Sequence, residues 1–91
     1  MIALQIRQEK KDDTSWTFLV EYDGGEYRLV VDVDYWKKLT KEKMTPIELA
    51  KNSFDFLLTK EPKEMILPKF HLSEISQFFP DYEIKISDKI N

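Results

Sequence analysis

The chain has no cysteine, one histidine, two glycines and four prolines in 91 residues. Without cysteine there are no disulfides, no thiolate nucleophile and no thiolate metal site, which suits an intracellular compartment. A single histidine cannot build a zinc site of the usual two or three imidazoles. So few glycines and prolines leave no interdomain linker, and one domain over residues 1–91 is expected. Long apolar runs are missing as well. Met1-Ile2-Ala3-Leu4-Gln5-Ile6-Arg7 is broken by Gln5 and Arg7, too soon for a signal segment or a membrane span. The expectation is a soluble cytoplasmic protein with no membrane partner. Positive charge is also scarce. Fourteen lysines and arginines face 17 acidic residues, for a net charge of −3, so no DNA partner is expected.

Aromatic residues are plentiful by contrast, with 6 Phe, 4 Tyr and 2 Trp, and 42% of the chain is hydrophobic. A disordered acidic segment would not carry them. A chain of this length buries roughly 60 to 65% of its unfolded surface. Large aromatics must then supply much of the core, leaving few side chains to line a deep catalytic cleft.

Ile2, Leu4 and Ile6 alternate with Ala3, Gln5 and Arg7, which predicts a strand over residues 2–8. Lys10-Lys11-Asp12-Asp13 suits an exposed turn. Trp16, Phe18, Val20 and Tyr22 then alternate with Thr17, Leu19 and Glu21, and Tyr27, Leu29, Val31 and Val33 with Arg28, Val30 and Asp32, so two strands flank Asp23-Gly24-Gly25-Glu26. Centring the turn on Gly24-Gly25 sets Glu21 opposite Arg28. Centring it on Asp23-Gly24 keeps the same faces but opposes Glu21 to Glu26, and the first register is expected on that ground.

Asp34 is a candidate cap for a short helix over residues 35–39. Thr45-Pro46-Ile47-Glu48 is a stronger start, with a hydroxyl at the cap, proline at the first helical position and a carboxylate three residues beyond the cap. Ile47, Ala50, Phe54, Leu57 and Leu58 follow at helical spacing, predicting the main amphipathic helix over 46–59 before Pro62 stops it. Residues 63–67 fit either a short helix or an extended segment. Ser73 is expected to cap a helix over 74–79 that presents Ile75, Phe78 and Phe79 to the core. Tyr82, Ile84 and Ile86 alternate with Glu83, Lys85 and Ser87, consistent with a fourth strand before a frayed polar tail.

No residues assemble a recognisable catalytic, cofactor or metal motif. Asp32, Asp34 and Glu48 are accounted for by a strand end and helix starts, and a hard-cation site needs more oxygen ligands. His71 has Ser73 and Ser76 nearby in sequence, but no nucleophile-elbow pattern surrounds either serine. Gly24-Gly25 precedes no helix and lacks a phosphate-loop lysine. Two surfaces remain. Tyr35, Trp36, Lys37, Lys38, Lys41 and Lys43 lie in a segment where four lysines meet one glutamate, a local +3 that leaves the remainder at −6. Lysines beside aromatics could contact RNA or a protein partner. The second sheet face, with Thr17, Leu19, Arg28 and Val30, is expected to face solvent and could serve self-association.

The run Thr45-Pro46-Ile47-Glu48-Leu49-Ala50, with Ser53-Phe54-Asp55-Phe56-Leu57-Leu58, Glu61 to Leu67, Phe70, Leu72, Ile75, Phe78-Phe79-Pro80 and Tyr82-Glu83, resembles a group of small uncharacterised prokaryotic proteins with an N-terminal β-hairpin. That resemblance covers about residues 45–83 and implies no activity. The strand-strand-strand-helix order with a T-x-x-E helix start is also similar, in architecture alone, to the HicB antitoxin fold. Together these readings predict an α+β domain: a three- to four-stranded antiparallel sheet covered on one face by the 46–59 helix and a short C-terminal helix. The expected function is a non-catalytic module binding another protein or itself. RNA association through residues 35–43 is the alternative, and a small hydrolase comes third.

Overall fold

The computed structural model describes residues 3–90 and has the expected α+β architecture. Strands β1 (Leu4–Lys11), β2 (Ser15–Tyr22) and β3 (Gly25–Asp32) form an antiparallel meander. Helices α1 (Val33–Thr40) and α2 (Pro46–Lys60) follow, then a 3-10 turn at Lys63–Met65. Strand β4 (Lys69–His71) leads into a second 3-10 turn, α3 (Ile75–Phe78) and α4 (Tyr82–Ile90). The sheet order is β1-β2-β3-β4, and β4 runs parallel to β3, so the sheet is mixed rather than antiparallel throughout.

Strand β1 extends past the expected end at residue 8; Ile2, placed at its expected start, lies outside the described residues. Lys10 and Lys11 pair with Thr17 and Trp16 instead of forming the turn. The turn falls at Asp12–Thr14, where Asp12 Oδ1 accepts the backbone N–H of Thr14 at 2.8 Å and of Ser15 at 2.9 Å. Those bonds hold the Asp12 carboxyl below its ordinary pKa.

The hairpin adopts the register that opposes Glu21 to Glu26. Asp23 has φ 48° and Gly24 φ 80°, and positive φ at both central residues is what a type I′ turn requires. The turn's twist outweighs a like-charge pairing of about a few tenths of a kcal/mol. Glu21 is drawn to the other side, where Arg7 Nη1 lies 3.1 Å from its carboxylate. Gly25 leaves room for the Tyr27 ring, whose hydroxyl oxygen would sit 3.0 Å from an added Cβ.

Helix α1 starts two residues earlier than expected. Asp32, not Asp34, is its cap residue, without a side-chain cap bond. The Val33 N–H instead donates to the Thr14 carbonyl at 2.9 Å, so the β1–β2 turn supplies an acceptor at the helix start. At α2 the capping box forms as expected: the Glu48 N–H donates to Thr45 Oγ1 at 3.2 Å, and Glu48 Oε1 accepts the Thr45 N–H at 3.2 Å. The buried side of α2 carries Leu49, Ala50, Ser53, Phe54, Phe56 and Leu57, while Ile47, expected in the core, is exposed.

The core lies between one face of the sheet and the helices. Phe18, Val20, Tyr27, Leu29 and Val31 meet α2, and Leu72, Ile75, Tyr82 and Ile86 complete it. Phe54 sits 4.9 Å from the Tyr27 ring, and Phe56 5.3 Å from that of Tyr82. The expected strand at 82–86 is therefore a correction. Residues 82–90 form a helix, because Tyr82 and Ile86, one turn apart, are both buried while Ile84 between them is exposed. Ser73 caps no helix. Glu74 Oε1 accepts the His71 N–H at 2.8 Å, and the chain makes a 3-10 turn before α3.

Candidate functional site

The basic segment is built on α1 and the connector after it. Its aromatic members point inward. The Trp36 indole N–H donates to the Met44 carbonyl at 2.7 Å, and its ring meets Trp16 edge-on at 5.4 Å. Tyr35 donates its hydroxyl to Glu83 Oε2 at 2.7 Å, tying α1 to α4. Burial, then the Glu83 carboxylate, push the Tyr35 phenol far above its ordinary pKa. Lys37, Lys38, Lys41 and Lys43 are exposed, and among the described residues none forms an ion pair. The segment thus presents lysines on its surface while its two rings are only partly exposed and committed to internal contacts. A shallow depression of about 360 Å³ beside it is shared with Glu83, Ile84 and Asp88 of α4.

On the second sheet face, Leu19 and Val30 are 2% and 5% exposed, although they lie outside the main core cluster. Polar side chains flank both. In the sheet register Leu19 lies between Arg7 and Arg28, and Val30 between Thr17 and His71. A bulge between Gln8 and Lys10 interrupts the β1–β2 ladder, and Glu9 there accepts from Arg28 Nε at 2.8 Å and Nη2 at 3.2 Å. That bond lowers the Glu9 pKa and raises that of Arg28. The face is consequently an ion-paired polar surface, and Leu19 and Val30 offer almost no apolar area for self-association.

His71 Nδ1 lies 2.9 Å from Asp32 Oδ2 at the margin of the same face, a pairing across 39 residues that sequence spacing does not reveal. No hydroxyl is hydrogen-bonded to the ring among the described residues.

A third surface was not expected from the sequence. Helix α2 ends before Pro62, with Glu61 fully extended at φ −154° and ψ 158° as its position before a proline favours. The 3-10 turn, the extended step into Pro68 and the return through α3 enclose a groove of about 330 Å³ against the end of α2. Ile66, Phe70, Leu57 and Ile75 form its buried floor. Met65, Leu67 and Phe78 stand at its sides, 65%, 60% and 72% exposed. Phe78, expected in the core, is excluded because α3 is a single turn that buries Ile75, while Phe79 takes the contact with Phe56 at 6.0 Å. Both charged residues of the lining, Glu61 and Glu74, are carboxylates. The sequence signal was present in Met65, Leu67 and Phe78 as large apolar residues around two prolines, but which of them face outward depends on the chain path.

No family model matches this chain, and no match was found among curated proteins or solved structures. No helix among the described residues is long and apolar enough to cross a membrane, and no group of three or more potential metal ligands gathers there.

Proposed function

We propose that this chain is a non-catalytic interaction module that binds another protein through the groove between α2, β4 and α3. One observation carries the reading: Met65, Leu67 and Phe78, the first two in a 3-10 turn and the extended step after it and the third in α3, are all well exposed around one apolar groove. Isolated exposed hydrophobics are ordinary, but large ones converging on a concave surface mark interaction sites. The absence of cysteine and the resemblance of residues 45–83 to small prokaryotic proteins support a prokaryotic cytoplasmic setting.

Photo-cross-linking from a benzoylphenylalanine at position 78, in the full chain expressed in its source cells, tests the proposal. A discrete adduct is expected from position 78 and none from a control position on the ion-paired face such as Thr17. Adducts equal at both positions, or absent at 78, would overturn it. The RNA-associated alternative has the four exposed lysines of residues 37–43 in its favour. It requires a salt-sensitive shift of single-stranded RNA that Lys37→Glu with Lys38→Glu abolishes, and no shift at low salt excludes it.

A further inference from the structure

We infer that the groove's occupant is an amphipathic helix of the partner protein, its apolar stripe flanked by lysine or arginine. The inference rests on the groove being the docking surface and adds what that surface selects.

The backbone beside the groove argues for a helix. An extended peptide gains affinity by adding to a sheet edge, and the edge here is β4. That strand is three residues long, and its His71 N–H is already taken by the Glu74 carboxylate at 2.8 Å. The edge therefore has little free ladder to offer. A ligand entering an apolar groove without such a ladder must satisfy its own backbone hydrogen bonds, as a helix does. Met65, Leu67 and Phe78 are the exposed apolar residues of the lining, and Ile66 and Phe70 are buried in it, so the groove offers contact to an apolar stripe.

Charge fixes the flanks. Glu61 and Glu74 are the charged residues of the lining. Of the nearby cations, Lys60 pairs with Asp81 at 2.8 Å, Lys63 holds both the carboxylate and the carbonyl of Asp23 in the hairpin turn, and Lys69, at the register position of Arg28, lies near Glu9. The rim thus favours a cationic ligand. The same rim disfavours a second copy of this chain. A twofold pairing of the groove with itself would bring carboxylate rims together, and the chain's overall charge of −3 adds to the repulsion.

The probes are two designed amphipathic peptides of about 15 residues, long enough for helix to form on binding. Both carry the same leucine stripe, one flanked by lysine and the other by glutamate, and fluorescence anisotropy with the full chain reads their binding. The lysine peptide is expected to bind about tenfold or more tightly than the glutamate peptide at low salt. Glu61→Lys should erase or reverse that preference, and Phe78→Asp should abolish binding of both, with circular dichroism confirming that each variant folds. Equal affinity for the two peptides, or a preference untouched by Glu61→Lys, would overturn the inference. If neither peptide binds while residue 78 still cross-links a partner, the docking surface stands and the basic helix falls. A concentration-dependent dimer in light scattering that Phe78→Asp dissolves would make a second copy the occupant, which also overturns it.

Discussion

Ser53 Oγ and the Tyr82 hydroxyl lie 2.6 Å apart in the buried core, and Ser53 also donates to the Leu49 carbonyl at 2.7 Å. Since the serine proton goes to Leu49, the tyrosine must be the donor in the second bond. The two truncations then differ. Ser53→Ala leaves a buried phenol without an acceptor and should cost about 1–3 kcal/mol, whereas Tyr82→Phe removes the donor, leaves Ser53 bonded to Leu49, and should cost about 1 kcal/mol. Urea unfolding of the two variants checks the order. Burial also raises the Tyr82 phenol above its ordinary pKa of 10.0. A group whose pKa is raised by folding contributes stability that is intact below the unfolded value and lost as pH climbs above it. Stability should therefore fall above about pH 10, by about 1.4 kcal/mol per pH unit from this residue, and Tyr82→Phe should flatten the fall. A plot of unfolding free energy against pH that is parallel for the two proteins would contradict this.

At the scale of elements, the parts readable from sequence are those whose signals are local. Helix α2 could be placed because Thr45, Pro46 and Glu48 specify its start within four residues and Pro62 its end. Thr45→Ala should remove the two bonds made by the hydroxyl, one accepted from the Glu48 N–H and one donated to Glu48 Oε1, and cost about 1 kcal/mol in thermal or urea unfolding. The hairpin was placed correctly but its register was not, because charge pairing was weighed above turn stereochemistry. That register makes its own prediction: Glu26→Lys should stabilise the protein by about 0.3 kcal/mol or more, by turning the Glu21–Glu26 opposition into an attractive pair. A destabilised variant would contradict this. Residues 82–86 resemble a strand in sequence because Tyr82, Ile84 and Ile86 satisfy a period of two, although packing uses only Tyr82 and Ile86. Strand β4 escaped detection because Lys69-Phe70-His71 is too short to show any period, and its pairing partner β3 ends 37 residues earlier in the chain.

Across the whole molecule, the two faces of the sheet are managed in different ways. One is covered by helices, and the other carries the Arg7–Glu21 and Arg28–Glu9 ion pairs and polar neighbours of Leu19 and Val30. Strand alternation places Thr17, Leu19, Arg28 and Val30 on one face, but the Glu9–Arg28 pairing on that face depends on the bulge in β1, which alternation does not reveal. The candidate groove was hidden for the complementary reason, because exposure of Met65, Leu67 and Phe78 is decided by how the chain returns past the end of α2. Phe78→Ser should leave stability within about 0.5 kcal/mol of the parent, as expected for a residue 72% exposed, while Phe54→Ala in the core should cost about 3–5 kcal/mol. A comparable loss for both in urea unfolding would mean that Phe78 packs into the core after all.

The parallel strand has a consequence for motion. Strands β1 to β3 are eight residues each and joined by tight turns, whereas β4 is held to β3 by three paired positions and by the Arg28 N–H donating to Pro68 at 2.7 Å. That contact closes a long loop through α1 and α2 with few paired positions to offset the closure entropy. Native-state amide exchange should therefore show Arg28 and Phe70 opening with a smaller free energy than Leu19 and Val20, as a cooperative unit with the turns on either side of β4. If exchange shows that unit, the groove residues Met65, Leu67 and Phe78, which lie on the segments flanking β4, would open with it while the meander stays closed.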